Sequence, residues 1–134
     1  MNGIERIQPN DFSKAIGAYS HGIKLPLPGV DLIFLTGQIA MDSEGNAIAS
    51  DSPKHQTEFI FENIKKLLRE ADAEIANVIK VTIYVTDMNY FSQVSEVRNK
   101  FLSECKPVST LVEVNRLAKD GCDVEIEVIA AVTK

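Results

Sequence analysis

Basic clusters, cysteine patterns and long apolar runs are all missing from this sequence, and each absence narrows what the chain can do. No basic cluster exceeds Lys65-Lys66, and the formal net charge is -5. A phosphate backbone would be repelled at long range, so nucleic acid is not expected as the main partner. The two cysteines, Cys105 and Cys122, form neither a metal-ligand pattern nor a disulfide framework, which places the protein in a reducing cytoplasm. Apolar runs such as Leu32 to Leu35 and Val128 to Val132 are far too short to span a bilayer. The first eight residues lack the charged and apolar regions of a secretory signal. With seven Gly, five Pro, 45% hydrophobic and 25% charged residues, the composition is that of a folded chain rather than a disordered one. Its 134 residues suit one domain, 1–134, with an ordinary core.

What is present is periodicity. Residues 107–130 read as two strands joined by a turn. In the first, Val112 and Val114 share one face while Leu111, Glu113 and Asn115 share the other. In the second, Val124, Ile126, Val128 and Ala130 alternate with Glu125, Glu127 and Ile129. Lys119-Asp120-Gly121 between them is turn chemistry. This places Glu113, Glu125 and Glu127 on one small patch, although acids are depleted in strands and like charges across a pair are unfavourable. Two readings stand: a solvated sheet face, or a carboxylate held in a cleft for acid–base work.

Earlier in the chain, residues 3–7 suggest a short strand and Asn10 to Lys14 a loop. Tyr19, Ser20 and His21 sit where a loop becomes a strand, a common address for function. Tyr19 also reads as a half-buried strand aromatic, and His21 as a surface histidine. Pro26, Pro28 and Gly29 mark a turn. Residues 31–36 form a strongly apolar strand ending at Gly37-Gln38, where the glycine permits close approach of a backbone or ligand, and 39–40 are extended.

Ser52-Pro53 opens the clearest helix, about 53–72, with Ile60, Ile64, Leu67, Leu68 and Ala71 in one stripe. No chemistry is assigned to it. Residues 78–86 form a strand. A second helix, 90–104, carries Phe91, Val94, Val97 and Phe101 inward, with Ser95 and Arg98 close to that face. Pro107 stops it. The order strand, strand, strand, helix, strand, helix, strand, strand implies an α+β two-layer domain, a mixed sheet with both helices on one face. A bare second face bearing acids and apolar residues is best covered by copies of the same chain, which would form clefts between subunits.

The sequence resembles the Rid proteins, the reactive intermediate deaminases or YjgF-like family, formerly labelled endoribonuclease L-PSP. The resemblance covers essentially the whole chain. It is carried by Ala15 to Tyr19, Thr36-Gly37-Gln38-Ile39, Val81 to Asn89, Pro107 to Val114 and Val124 to Ala130. It implies a chorismate-mutase-like fold and a homotrimer that holds a small-molecule ligand in inter-subunit clefts. It also implies hydrolysis of reactive enamines and imines to a keto acid and ammonia, without metal or cofactor.

Position by position, the resemblance makes Tyr19 the cleft tyrosine, Thr36 the cleft hydroxyl, with Gly37 and Gln38 following, and Glu125 the acid that holds the water. Ser109 departs from the pattern: active members carry there an arginine that grips the substrate carboxylate, and a hydroxyl cannot replace that bidentate fork. Its loss removes on the order of 2–5 kcal/mol of binding. Leu111 stands where a cysteine is frequent, Ser95 where an asparagine is common, Ala18 where a proline precedes the tyrosine, and Arg98 where an aromatic is usual. Three functions remain open. One is an imine hydrolase with an altered substrate, in which Ser109 donates a hydrogen bond. Another is a non-catalytic trimer that binds a metabolite or a protein. The third, a ribonuclease, is disfavoured by the charge and by the lack of paired histidines or metal carboxylates.

Overall fold

The computed structural model describes residues 3–134. Met1 and Asn2, which open the stretch read for a secretory signal, lie outside the described residues. The elements are β1 (Glu5–Ile7), β2 (Gly22–Leu27), β3 (Val30–Leu35), β4 (Gln38–Ile39), α1 (Pro53–Glu70), β5 (Val78–Val85), α2 (Phe91–Leu102), β6 (Val108–Glu113) and β7 (Val124–Thr133).

The strands make one mixed sheet in the order β1-β2-β3-β7-β5-β6, with β4 also paired to β7. Only β5 and β6 run parallel, as the α2 crossover between them requires. Both helices cover one face, and Phe61 of α1 stacks on Phe101 of α2 with centroids 4.9 Å apart. Along β7, Val124, Ile126, Val128 and Ala130 are buried against the helices. Glu125, Glu127 and Ile129 turn to the opposite face and are only partly buried. Ser52 caps α1 as expected, accepting from the His55 N–H at 3.2 Å, with Pro53 in the first turn.

The expected C-terminal hairpin does not form. β5 lies between β6 and β7, so Tyr84 has Val112 on one side and Glu125 on the other. Periodicity identifies a strand and its faces but says nothing about its neighbour. A consequence falls on Glu113. It pairs with the inward-facing Val85, lies on the helix side of the sheet, and accepts a hydrogen bond from the Met88 N–H at 2.8 Å. It is not grouped with Glu125 and Glu127.

Four strands precede α1 rather than three. The additional one is β4, where the extended stretch after Gly37 pairs with β7. β2 contains Pro26, which pairs only with Asp31 of β3 because β1 stops opposite Lys24. The missing proline N–H therefore faces an open edge, the position a strand tolerates. The Pro28-Gly29 turn then joins β2 to β3, with Gly29 at φ +83°.

Candidate functional site

A cavity of ≈ 630 Å³ opens beside the β3–β4 junction. Its floor is built from backbone geometry. Thr36 follows β3 and is fixed twice, by its N–H to the His21 carbonyl at 2.9 Å and its hydroxyl to the Ser20 carbonyl at 2.5 Å. Gln38 is buried and donates from Nε2 to the Thr36 carbonyl at 2.8 Å. β4 then pairs with β7 so that Ile39 stands opposite Glu125. Between Thr36 and Gln38, Gly37 leaves the space the Glu125 carboxylate fills. A Cβ there would lie 2.9 Å from Glu125 Cδ and 3.1 Å from its Cγ.

Glu125 is the electrostatic centre of this floor. Burial raises its carboxyl above the usual value, and the charge of Glu127 raises it further. Glu127 in turn accepts a hydrogen bond from the Tyr84 hydroxyl. That bond, then burial and the nearby carboxylates, push the Tyr84 phenol up. A carboxyl displaced toward neutral pH inside a concave site can exchange a proton with a bound molecule or a water.

Tyr19, Thr36, Gly37, Gln38 and Glu125 all line the cavity. Tyr19 is 47% exposed at its mouth, and a second, more open hollow lies on its other side beside Phe34. Ser95 and Ser109 are elsewhere in the protomer. The Ser95 hydroxyl bonds back to the Ser92 carbonyl at 3.3 Å within α2. Ser109 is exposed on the edge strand β6 and accepts from Arg98 Nη1 at 3.4 Å. His21 is not a surface histidine. It is buried, lines the cavity, donates from Nε2 to the Ser13 carbonyl at 2.7 Å, and meets Phe12 edge-on.

Sequence reasoning missed the upper wall. Phe59, Asn63 and Lys66 of α1 line the cavity at spacings of four and three residues, a second helical stripe beside the core one. Lys119, expected only as part of a turn, also reaches it. Its connection is held by the fully buried Gln56, which donates to the Gly121 carbonyl at 2.7 Å and accepts from the Asp123 N–H at 2.9 Å. Among the described residues, no group of three or more His, Cys, Asp and Glu side chains is placed to hold a metal ion. No described helix is long and apolar enough to cross a membrane.

The chain matches the family described as Endoribonuclease L-PSP over residues 10–132. It is 43% identical over 117 residues to a RutC family protein of Pyrococcus abyssi, covering 87% of this chain and 88% of that one. Among solved structures it is similar to RidA from the Antarctic bacterium Psychrobacter, at 31% identity and TM-score 0.84 over 96% of this chain and 99% of that one. It is also similar to the E. coli TdcF structure with bound serine, at 31% identity and TM-score 0.81 over 96% and 99%. A Yersinia pestis member of the conserved Rid family matches at 30% identity and TM-score 0.84 over 97% and 100%. A family match across nearly the whole chain, with relatives this similar over most of both lengths, means that the chain belongs to the endoribonuclease L-PSP family, the group also called Rid or YjgF-like.

Proposed function

We propose that the protein is a Rid-like hydrolase that releases ammonia from reactive imines, with a substrate altered by Ser109. The observation that carries this reading is the Glu125 carboxyl, raised by burial and seated over Gly37 in a cavity shared with Tyr19, Thr36 and Gln38. Glu125 takes a proton from a water as the water oxygen bonds to the imine carbon. Glu125 returns that proton to the nitrogen, giving a carbinolamine; its hydroxyl proton then passes through the same carboxylate to the nitrogen, the C–N bond breaks, and the electron pair leaves with ammonia while the carbonyl forms. Water and imine are consumed; carbonyl compound and ammonia are produced. Tyr19 and Thr36 orient the substrate, and Ser109 supplies a hydrogen bond from a neighbouring subunit.

The active unit in this reading is a cytoplasmic homotrimer of single-domain chains. Phe34 and Val112 are exposed on the sheet face that no helix covers, and so is Val108 on β6 (68%); subunit packing would bury this surface. It would also bring the β6 edge of one chain toward the cavity of the next. TdcF, whose structure holds serine, supports a small-molecule ligand.

The test compares wild type with Ser109→Arg on 2-aminoacrylate generated in place, following keto-acid release. Activity gained only by the variant supports a competent site with a displaced substrate. Activity in neither, with the fold intact, counts against the hydrolase. A second reading, binding without turnover, is favoured by the uncharged Ser109 on β6. It gains if Glu125→Ala changes the affinity for a ligand that is released unchanged.

A further inference from the structure

The cavity carries its own cations. Lys14 from the loop before β2, Lys66 from α1 and Lys119 from the β6–β7 connection all line it, although the chain is acidic overall. Among the described residues none of the three forms an ion pair. Asp11, Asp42 and Glu125 are the acids of the same lining. Asp42 is already engaged, because its Oδ1 accepts the Glu44 and Asn46 N–H groups at 2.9 Å each and its carboxyl is held below the usual range mainly by the Asn46 bond. Glu125 is held at the floor beside Gly37. The lining thus carries three carboxyls and three ammonium groups, and none of these ammonium groups is paired with a carboxyl among the described residues.

Lys66 and Lys119 stand on held backbone. α1 presents Lys66 on the turn above Asn63. The Lys119 carbonyl accepts the Cys122 N–H at 3.2 Å, inside the connection that Gln56 ties to α1. We infer that Lys66 and Lys119 form an anion subsite within one protomer, and that the ligand is a small molecule bearing a carboxylate or phosphate at the end away from Glu125. This deepens the hydrolase reading and rests on it only for the identity of the reacting carbon. It puts the anionic end of the substrate on α1 and the β6–β7 connection, not on Ser109.

The test is calorimetric titration of the whole protein with pyruvate, its neutral counterpart pyruvamide, and inorganic phosphate. Pyruvate should bind about tenfold more tightly than pyruvamide, and the advantage should vanish in Lys66→Gln/Lys119→Gln, because two exposed ion pairs together are worth about that much. Inorganic phosphate should compete with pyruvate, since an ammonium reads charge rather than a planar shape. Equal binding of pyruvate and pyruvamide overturns the subsite, as does failure of the wild type to bind either anion. An unchanged double variant also overturns it, and so does loss of pyruvate binding in Arg98→Gln alone. The two readings fail separately. Imine hydrolysis with an unchanged double variant removes the subsite and leaves the hydrolase. Lysine-dependent pyruvate binding with no imine hydrolysed does the reverse.

Discussion

Glu125 and Gly37 share one volume: the acid's Cγ and Cδ lie 3.1 and 2.9 Å from where a Cβ of residue 37 would sit. The glycine is present because the carboxyl occupies its side-chain space, not because of a left-handed backbone. Gly37→Ala must move the carboxyl or the β3–β4 junction. A displacement of an ångström at a reacting group costs about 100-fold in rate. Ammonia release should fall by that order, and overpacking should cost about 1–3 kcal/mol by urea denaturation. Unchanged turnover would separate the carboxyl's position from the chemistry.

Stability should also report the Glu125 carboxyl. Burial, then the charge of Glu127, raises it above its ordinary value of 4.5. The native state therefore holds more protons than the unfolded state between 4.5 and the raised value, so stability is greatest below this window and falls as pH rises through it. Glu125→Gln removes that dependence. The unfolding free energy of the variant minus wild type should become more positive in urea titrations as pH rises above the ordinary value of 4.5. A difference that becomes more negative would contradict a raised carboxyl.

Gln56 joins three segments that are distant in sequence, through the Ile48 and Gly121 carbonyls and the Asp123 N–H. Gln56→Leu keeps the volume and strands those partners, which should cost about 3 kcal/mol. Amide exchange at Asp123 should accelerate with it. A stability loss below about 1 kcal/mol would mean the connection bearing Lys119 is held by other contacts.

Local signals were legible wherever a single element decides the outcome. Ser52-Pro53 and the stripe through Leu68 located α1, and alternation separated Val124 and Ile126 from Glu125 and Glu127. Pairing was not legible, because a strand's own period does not name its neighbour. β5 therefore came between β6 and β7, and Glu113 left the acidic patch. His21 read as exposed because nothing local shows that the Ser13 carbonyl and Phe12 fold over it. The Phe59, Asn63, Lys66 spacing was available in the sequence, but the stronger core stripe beside it masked a second functional face.

The most direct measurement is ammonia release by wild type and Glu125→Gln over a panel of imines generated in place, carboxylated and uncarboxylated, with folding of both proteins checked by circular dichroism. Wild type should hydrolyse at least one imine, and the variant, keeping its fold and its ligand affinity, should hydrolyse none. Equal release by both proteins, or none from any imine, would contradict a water-activating role for Glu125.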